Sequence, residues 1–242
     1  MRYFIHFAYD GTNYHGWQIQ PGAVSVQEEL QKALTTLLRR SMEVVGAGRT
    51  DAGVHARHMV AHFDYDAELD CNQLAFRLGR ILPRDIAVYK VEPVAQEMHA
   101  RFSAKRRTYH YYIHTIRDPF VRQYSCELHY ALDFNLMNEA AQWLTSCCDF
   151  AAFCKSHTDV KTTICEVYEA RWIQTDEYHW YFRISANRFL RNMVRAVVGT
   201  FIELGRGRIT LGDFQRIVES RQRTNAGESM PAHALFLECV EY

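Results

Sequence analysis

No stretch of this chain runs for about 18 apolar residues, the length a helix needs to cross a bilayer, so no membrane-spanning helix is expected. Proline and glycine are scarce, 5 and 12 in 242 residues, and no segment is low in complexity. Collagen-like and linker-rich architectures therefore drop out, and a folded globule with a sizeable core is expected. The seven cysteines, Cys71, Cys126, Cys147, Cys148, Cys154, Cys165 and Cys239, contain no C-x-x-C pair. A zinc knuckle is not expected, and structural thiols in a reducing compartment are. The opening MRYFIHFAYDG reaches Asp10 too soon for the apolar core of a signal peptide, which points to the cytoplasm. Neither G-x-x-x-x-G-K-S/T nor G-x-G-x-x-G occurs, so a nucleotide cofactor has no binding motif. H-E-x-x-H is missing too, and His58 and His62, four apart on an expected strand, stand about 13 Å apart, too far to share one ion. No metal and no cofactor are expected.

Net charge is also missing, since 28 basic side chains balance 28 acidic ones, but the balance is uneven along the chain. Residues 99 to 124 hold six basic against one acidic, and residues 181 to 223 hold nine against three. If adjacent in the fold, these two segments make a positive face for a polyanion.

Hydrophobic periodicity gives the order of elements. Arg2 to Tyr9 alternates as a strand. Ser25-Val26-Gln27-Glu28 has the form of a capping box, and Leu30, Leu34, Leu37 and Leu38 follow at helical spacing. Strands are expected over Met42 to Ala47 and Arg57 to Tyr65, a helix over Asp70 to Ile81, and a strand over Asp85 to Val94. The first part thus reads β-α-β-β-α-β, the split βαβ arrangement. The second reads similarly: strand Lys105 to Ile116, helix Asp133 to Thr145, hairpin Ile164 to Ala186, helix Phe189 to Leu204, helix Gly212 to Arg221 and strand Leu235 to Val240. The expected fold class is α+β: two ferredoxin-like halves, 1–98 and 99–242, joined into one broad, mainly antiparallel sheet with helices on one face and a central active-site cleft.

Three places carry chemistry. In GAGRTDAGVHA the carboxylate of Asp51 lies in a loop between glycines, two residues after Arg49. An acid there can cap a turn, hold a metal or attack a substrate. In ANRFLRNMVRAVVG, Arg188, Arg191 and Arg195 fall within about 60° on a helical wheel. Arg195, inside an apolar run, wants a carboxylate partner, for which Asp51 is a candidate. In KRRTYHYYI, Tyr109 and Tyr111 share one face of a strand beside Lys105, Arg106 and Arg107. Such interleaving suits either a tyrosine-rich core strand or a nucleic-acid surface.

These segments resemble the tRNA pseudouridine synthase I family, also called TruA. The match spans nearly the whole chain: AYDGTNYHGWQIQP with SVQEEL, GAGRTDAGVHA, LPRDIAV, HARFSAKRRTYHYYI, DFAAF and ANRFLRNMVRAVVGT. Departures are Ala234 where the family usually shows glycine and Cys154 where arginine is common. The resemblance implies a homodimeric enzyme that isomerises uridine to pseudouridine at positions 38, 39 and 40 of the tRNA anticodon stem-loop, without a cofactor. By motif position, Asp51 is the catalytic aspartate and Arg195 the arginine that pairs with it. Tyr109 packs against the target base, and Arg49 is associated with extruding the target nucleotide. The flipped base leaves its stack at a cost of a few kcal/mol, and the basic segments, with Arg101, Lys105, Arg106, Arg107, Arg188 and Arg191, hold phosphates.

Overall fold

The computed structural model describes residues 1–155 and 161–242, and the chain folds as two compact units, residues 1–105 with 236–242 and residues 106–235.

The first unit opens with β1 (Arg2–Tyr9), whose alternation puts Tyr3, Ile5, Phe7 and Tyr9 on one buried face. Helix α1 (Val26–Leu38) begins where expected, because the Ser25 hydroxyl accepts the Glu28 N–H (3.3 Å) and two acidic residues sit in its positive first turn. Strand β2 (Val45–Gly46) is shorter than expected. The backbone before it bonds to side chains of α1 instead of to a strand: Met42 N–H to Thr35 Oγ1 (3.1 Å), Val44 N–H to Gln31 Oε1 (3.1 Å) and Gln27 Nε2 to the Val44 carbonyl (2.8 Å). Strand β3 (His55–Asp64), helix α2 (Cys71–Ile81), capped by Asp70, and strand β4 (Ile86–Val94) follow. The order is β4-β1-β3 with β2 on the other side of β3, every neighbour antiparallel, which is the split βαβ topology.

The second unit contains β5 (Arg106–His114), the two-residue β6 (Cys126–Glu127) parallel to it, α3 (Phe134–Leu144) and the hairpin β7 (Val167–Gln174) and β8 (His179–Ala186). Helices α4 (Met193–Gly205) and α5 (Leu211–Ser220) complete it, the latter opened by a Thr210–Asp213 capping box. β8 lies between β5 and β7, antiparallel to both. The closing strand β9 (Leu235–Glu241) runs parallel to β3, with Phe236 opposite His55. Its residues from Phe236 onward pack in the first unit: Phe236 stacks on His55 (4.5 Å), Glu238 pairs with Arg57 (3.0 Å), and Tyr242 lies against Phe4 (4.9 Å). Nine strands and five α-helices among the described residues, mixed but mainly antiparallel in pairing, make the fold α+β.

One expected helix starts four residues late. Asn192 has φ 66°, the left-handed region, and a turn closes from the Met193 N–H to the Leu190 carbonyl (3.1 Å). A left-handed residue interrupts helical backbone. Arg188 and Arg191 therefore lie in the connection leaving β8, and only Arg195 is on the helix; the common stripe of three arginines does not form.

Candidate active site

Asp51 sits half-buried in the loop between β2 and β3, and the segment 9–17 wraps that loop. The Thr50 carbonyl accepts the Trp17 N–H (3.3 Å), and the Tyr14 carbonyl accepts the Gly53 N–H (3.2 Å). The loop closes on itself through Val54 N–H and the Asp51 carbonyl (3.1 Å). Tyr9 and Thr50 share a buried hydroxyl–hydroxyl bond of 2.9 Å. Gly11 donates to Nδ1 of the buried His55 (3.0 Å).

Two of the wrapping residues have to be glycine. A Cβ on Gly11 would stand 2.1 Å from the Val54 carbonyl oxygen, and one on Gly16, at φ 89°, would stand 2.3 Å from the Thr50 carbonyl oxygen. Within the loop, Gly53 has φ 76°, so its requirement is conformational, whereas a Cβ on Gly48 would meet nothing within 4 Å. The wrapping segment is itself tied down, since the Tyr14 hydroxyl donates to Asp85 Oδ1 (2.5 Å) and the Asp10 N–H to the Asp85 carbonyl (2.9 Å). Burial, and then the Asp85 carboxylate, push the Tyr14 phenol well above its ordinary range, so it keeps its donor proton. Arg49, two residues before Asp51, is exposed.

In the second unit Tyr109 and Tyr111 lie on one face of β5, opposite Ile184 and Phe182 of β8, and both are buried. The Tyr109 ring meets Phe189 edge-on at 5.0 Å. Arg195, half-buried in the first turn of α4, is tied twice to residue 230: its Nε donates to the Met230 carbonyl (2.5 Å), and the Met230 N–H donates to its carbonyl (3.2 Å). That segment is held along its length. The Gly227 N–H reaches Thr200 Oγ1 (2.9 Å), Ser229 Oγ receives both Asn192 Nδ2 (2.5 Å) and an Arg223 nitrogen (2.9 Å), and the Tyr111 hydroxyl donates to the Pro231 carbonyl (3.0 Å). The approach of 226–231 to α4 requires glycine on both sides, because a Cβ on Gly199 would lie 1.8 Å from the Glu228 carbonyl oxygen. Burial pushes the Tyr111 phenol up, and the Arg195 charge opposes that rise.

The remaining cations are more scattered. Arg106 lies over the Tyr168 ring (5.0 Å), Arg107 donates to the Asn187 carbonyl (2.7 Å), and Arg101 and Lys105 are exposed on the approach to β5. Arg188 is half-buried near Cys165, whose thiol burial pushes up to about 11 against the opposing arginine charge, and Arg191 is exposed. Cys154 and Ala234 are both buried. Sequence reasoning missed Tyr9, Gly11, Gly16 and the 226–231 segment as builders of the site. Paired glycines in DGTNYHGW and the NAGES stretch were the available signals, but which backbone each glycine admits is a matter of tertiary contact.

A family model described as tRNA pseudouridine synthase matches residues 5–103 and 140–242. The chain is 59% identical to tRNA pseudouridine synthase A of Bacteroides fragilis, covering 100% of this chain and 96% of that one. The corresponding figures for the protein of the same name from Bacteroides thetaiotaomicron are 56%, 100% and 90%. For Bacillus subtilis they are 38%, 100% and 99%.

Proposed function

The chain belongs to the tRNA pseudouridine synthase family and is an isomerase acting on uridine in tRNA, and we propose that it acts at positions 38, 39 and 40 of the anticodon stem-loop with Asp51 as its catalytic group. The reaction breaks the N1–C1′ bond and joins C5 to C1′; the proton leaves C5 and N1 gains one. Neither oxidation nor hydrolysis is involved. The Asp51 carboxylate serves as a nucleophile, at C6 of the base or C1′ of the sugar, or as a base toward C2′.

The observation that carries this reading is the fixation of the Asp51 loop by Tyr9, Gly11 and Gly16. A reacting group gains most when held within a fraction of an ångström of its productive position. Arg195 supplies the cation of the site, Tyr109 the ring against the flipped base, and Arg49 a side chain for the space the base leaves. Arg101, Lys105, Arg106, Arg107, Arg188 and Arg191 take phosphates. By the same family resemblance the enzyme works as a homodimer with no nucleotide cofactor, and the cysteine thiols suit the reducing cytoplasm.

The test is tritium release from an anticodon-arm tRNA transcript labelled at C5 of uridine. Asp51→Asn should lower release at least a thousandfold while tRNA affinity stays within about threefold. Turnover retained by this variant overturns the assignment of Asp51, and release from a transcript with uridines only outside positions 38 to 40 overturns the site.

A further inference from the structure

The Phe102 ring is 75% exposed, yet the turn that carries it, between β4 and β5, is closely bonded. The His99 N–H donates to Ser103 Oγ and the Ser103 N–H to the His99 carbonyl, each at 2.9 Å. Nδ1 of His99 accepts the N–H groups of Arg101 (3.1 Å) and Phe102 (3.3 Å). The Ala100 N–H donates to Nδ1 of the buried His62 (3.1 Å), and the Ala100 carbonyl accepts the Tyr242 hydroxyl (2.7 Å). Rings support the arrangement from below: His62 meets His99 edge-on at 4.6 Å, and His99 lies 4.4 Å from Phe102. The Arg101 guanidinium stands 5.5 Å from the Phe102 centroid.

These bonds fix the backbone of the turn, and the ring it carries stands open to water except where it meets His99 and Arg101. An open flat ring carried on a fixed turn is available to a partner that offers a flat face of its own. The surroundings select the partner's chemistry. Arg101 is against the ring, and Lys105, Arg106 and Arg107 follow within five residues, in a segment with six basic side chains to one acidic. A flat ring with guanidinium beside it, leading into a run of cations, matches an unstacked nucleobase on a polyanionic strand.

We propose that Phe102 is a stacking platform for an unpaired nucleobase of the tRNA substrate other than the target uridine, presented by the turn that His62 and His99 hold together, with Arg101 against the adjoining backbone. The proposal rests on the tRNA substrate of the family. A contact to a base that does not react contributes to binding and leaves the chemical step alone.

Full-length Phe102→Ala and Phe102→Trp are compared with wild type, using an unmodified tRNA transcript for both affinity and tritium release. The alanine variant should bind about tenfold more weakly and show a matching rise in KM, with kcat within about twofold, as loss of one stacked base implies. The tryptophan variant should restore affinity, and its added fluorescence should be quenched when tRNA is bound. Unchanged affinity in the alanine variant, or unquenched tryptophan under saturating tRNA, overturns the platform. A change in sedimenting mass with affinity for RNA unchanged overturns it in favour of a second copy of the chain. Wild-type binding and turnover, measured alongside, separate failure of the platform from failure of the tRNA assignment.

Discussion

The Tyr9 and Thr50 hydroxyls meet at 2.9 Å in the interior of the first unit, one residue before Asp51. A bond from the end of β1 to the side chain of the residue preceding the acid couples the position of the loop to the core strand of the sheet.

Tyr9→Phe removes one partner of that bond and leaves the Thr50 hydroxyl short of a hydrogen bond in a buried site. The expected cost is about 1–2 kcal/mol of stability, read from urea unfolding. Single-turnover pseudouridine formation should fall about tenfold with KM within twofold, since a misplaced reacting group lowers the rate of chemistry before it affects binding. A rate equal to wild type would separate the bond from the placement of Asp51.

Gly16 and Gly48 should respond in opposite ways to alanine. At Gly16 the added methyl meets the Thr50 carbonyl oxygen at 2.3 Å and the backbone has φ 89°. A loss of about 2–4 kcal/mol in unfolding free energy is expected there. At Gly48 the same methyl meets nothing within 4 Å, so stability should change by less than about 0.5 kcal/mol. If the open space admits a nucleotide backbone, Gly48→Ala raises KM for tRNA about tenfold at normal stability, and an unchanged KM removes that role.

Arg195→Lys keeps the charge but discards the Nε donor to the Met230 carbonyl and the planar fork. The strap at 226–231 keeps its other ties to Thr200, Asn192, Arg223 and Tyr111. The variant should therefore fold, with kcat down about a hundredfold. Thermal unfolding and single-turnover rates measured together check this, and a normal rate would show that charge alone suffices.

Acid should weaken the fold through His62. Burial, then the nearby Arg2 and His99, hold its pKa down to about 4, and its Nδ1 accepts the Ala100 N–H, which requires the neutral ring. The unfolded chain takes up a proton at about pH 6.5. Between these values the unfolded state binds more protons than the folded one. The stability contribution is thus full above pH 6.5 and is lost as pH falls toward 4. Urea unfolding from pH 7 to 4 should show the decline, and His62→Gln should flatten part of it; the remaining slope includes His58, whose pKa burial also lowers. An imidazole resonance of His62 titrating near 6.5 would contradict the assignment.

The helix starts at Ser25, Asp70 and Asp133 were legible in the sequence because each cap satisfies a backbone N–H within three residues of itself. The split βαβ order of the first unit was legible for a similar reason, since alternation and helical spacing are local signals. The start of α4 was not, because nothing in ANRFLRN announces that Asn192 takes a left-handed conformation. The length of β2 was not either, since its preceding residues bond to Gln27, Gln31 and Thr35, side chains that a periodicity argument assigns only to the outside of a helix.

The sequence by itself determined the family, the α+β class and the identity of the candidate residues, because motifs and periodicity are written along the chain. Tertiary structure alone decided what holds Asp51 and Arg195 in place. Gly11 and Gly16 meet backbone 34 or more residues away, and Gly199 receives a segment 29 residues on. Contacts of that span depend on how the strands and helices are packed, and no local preference encodes them.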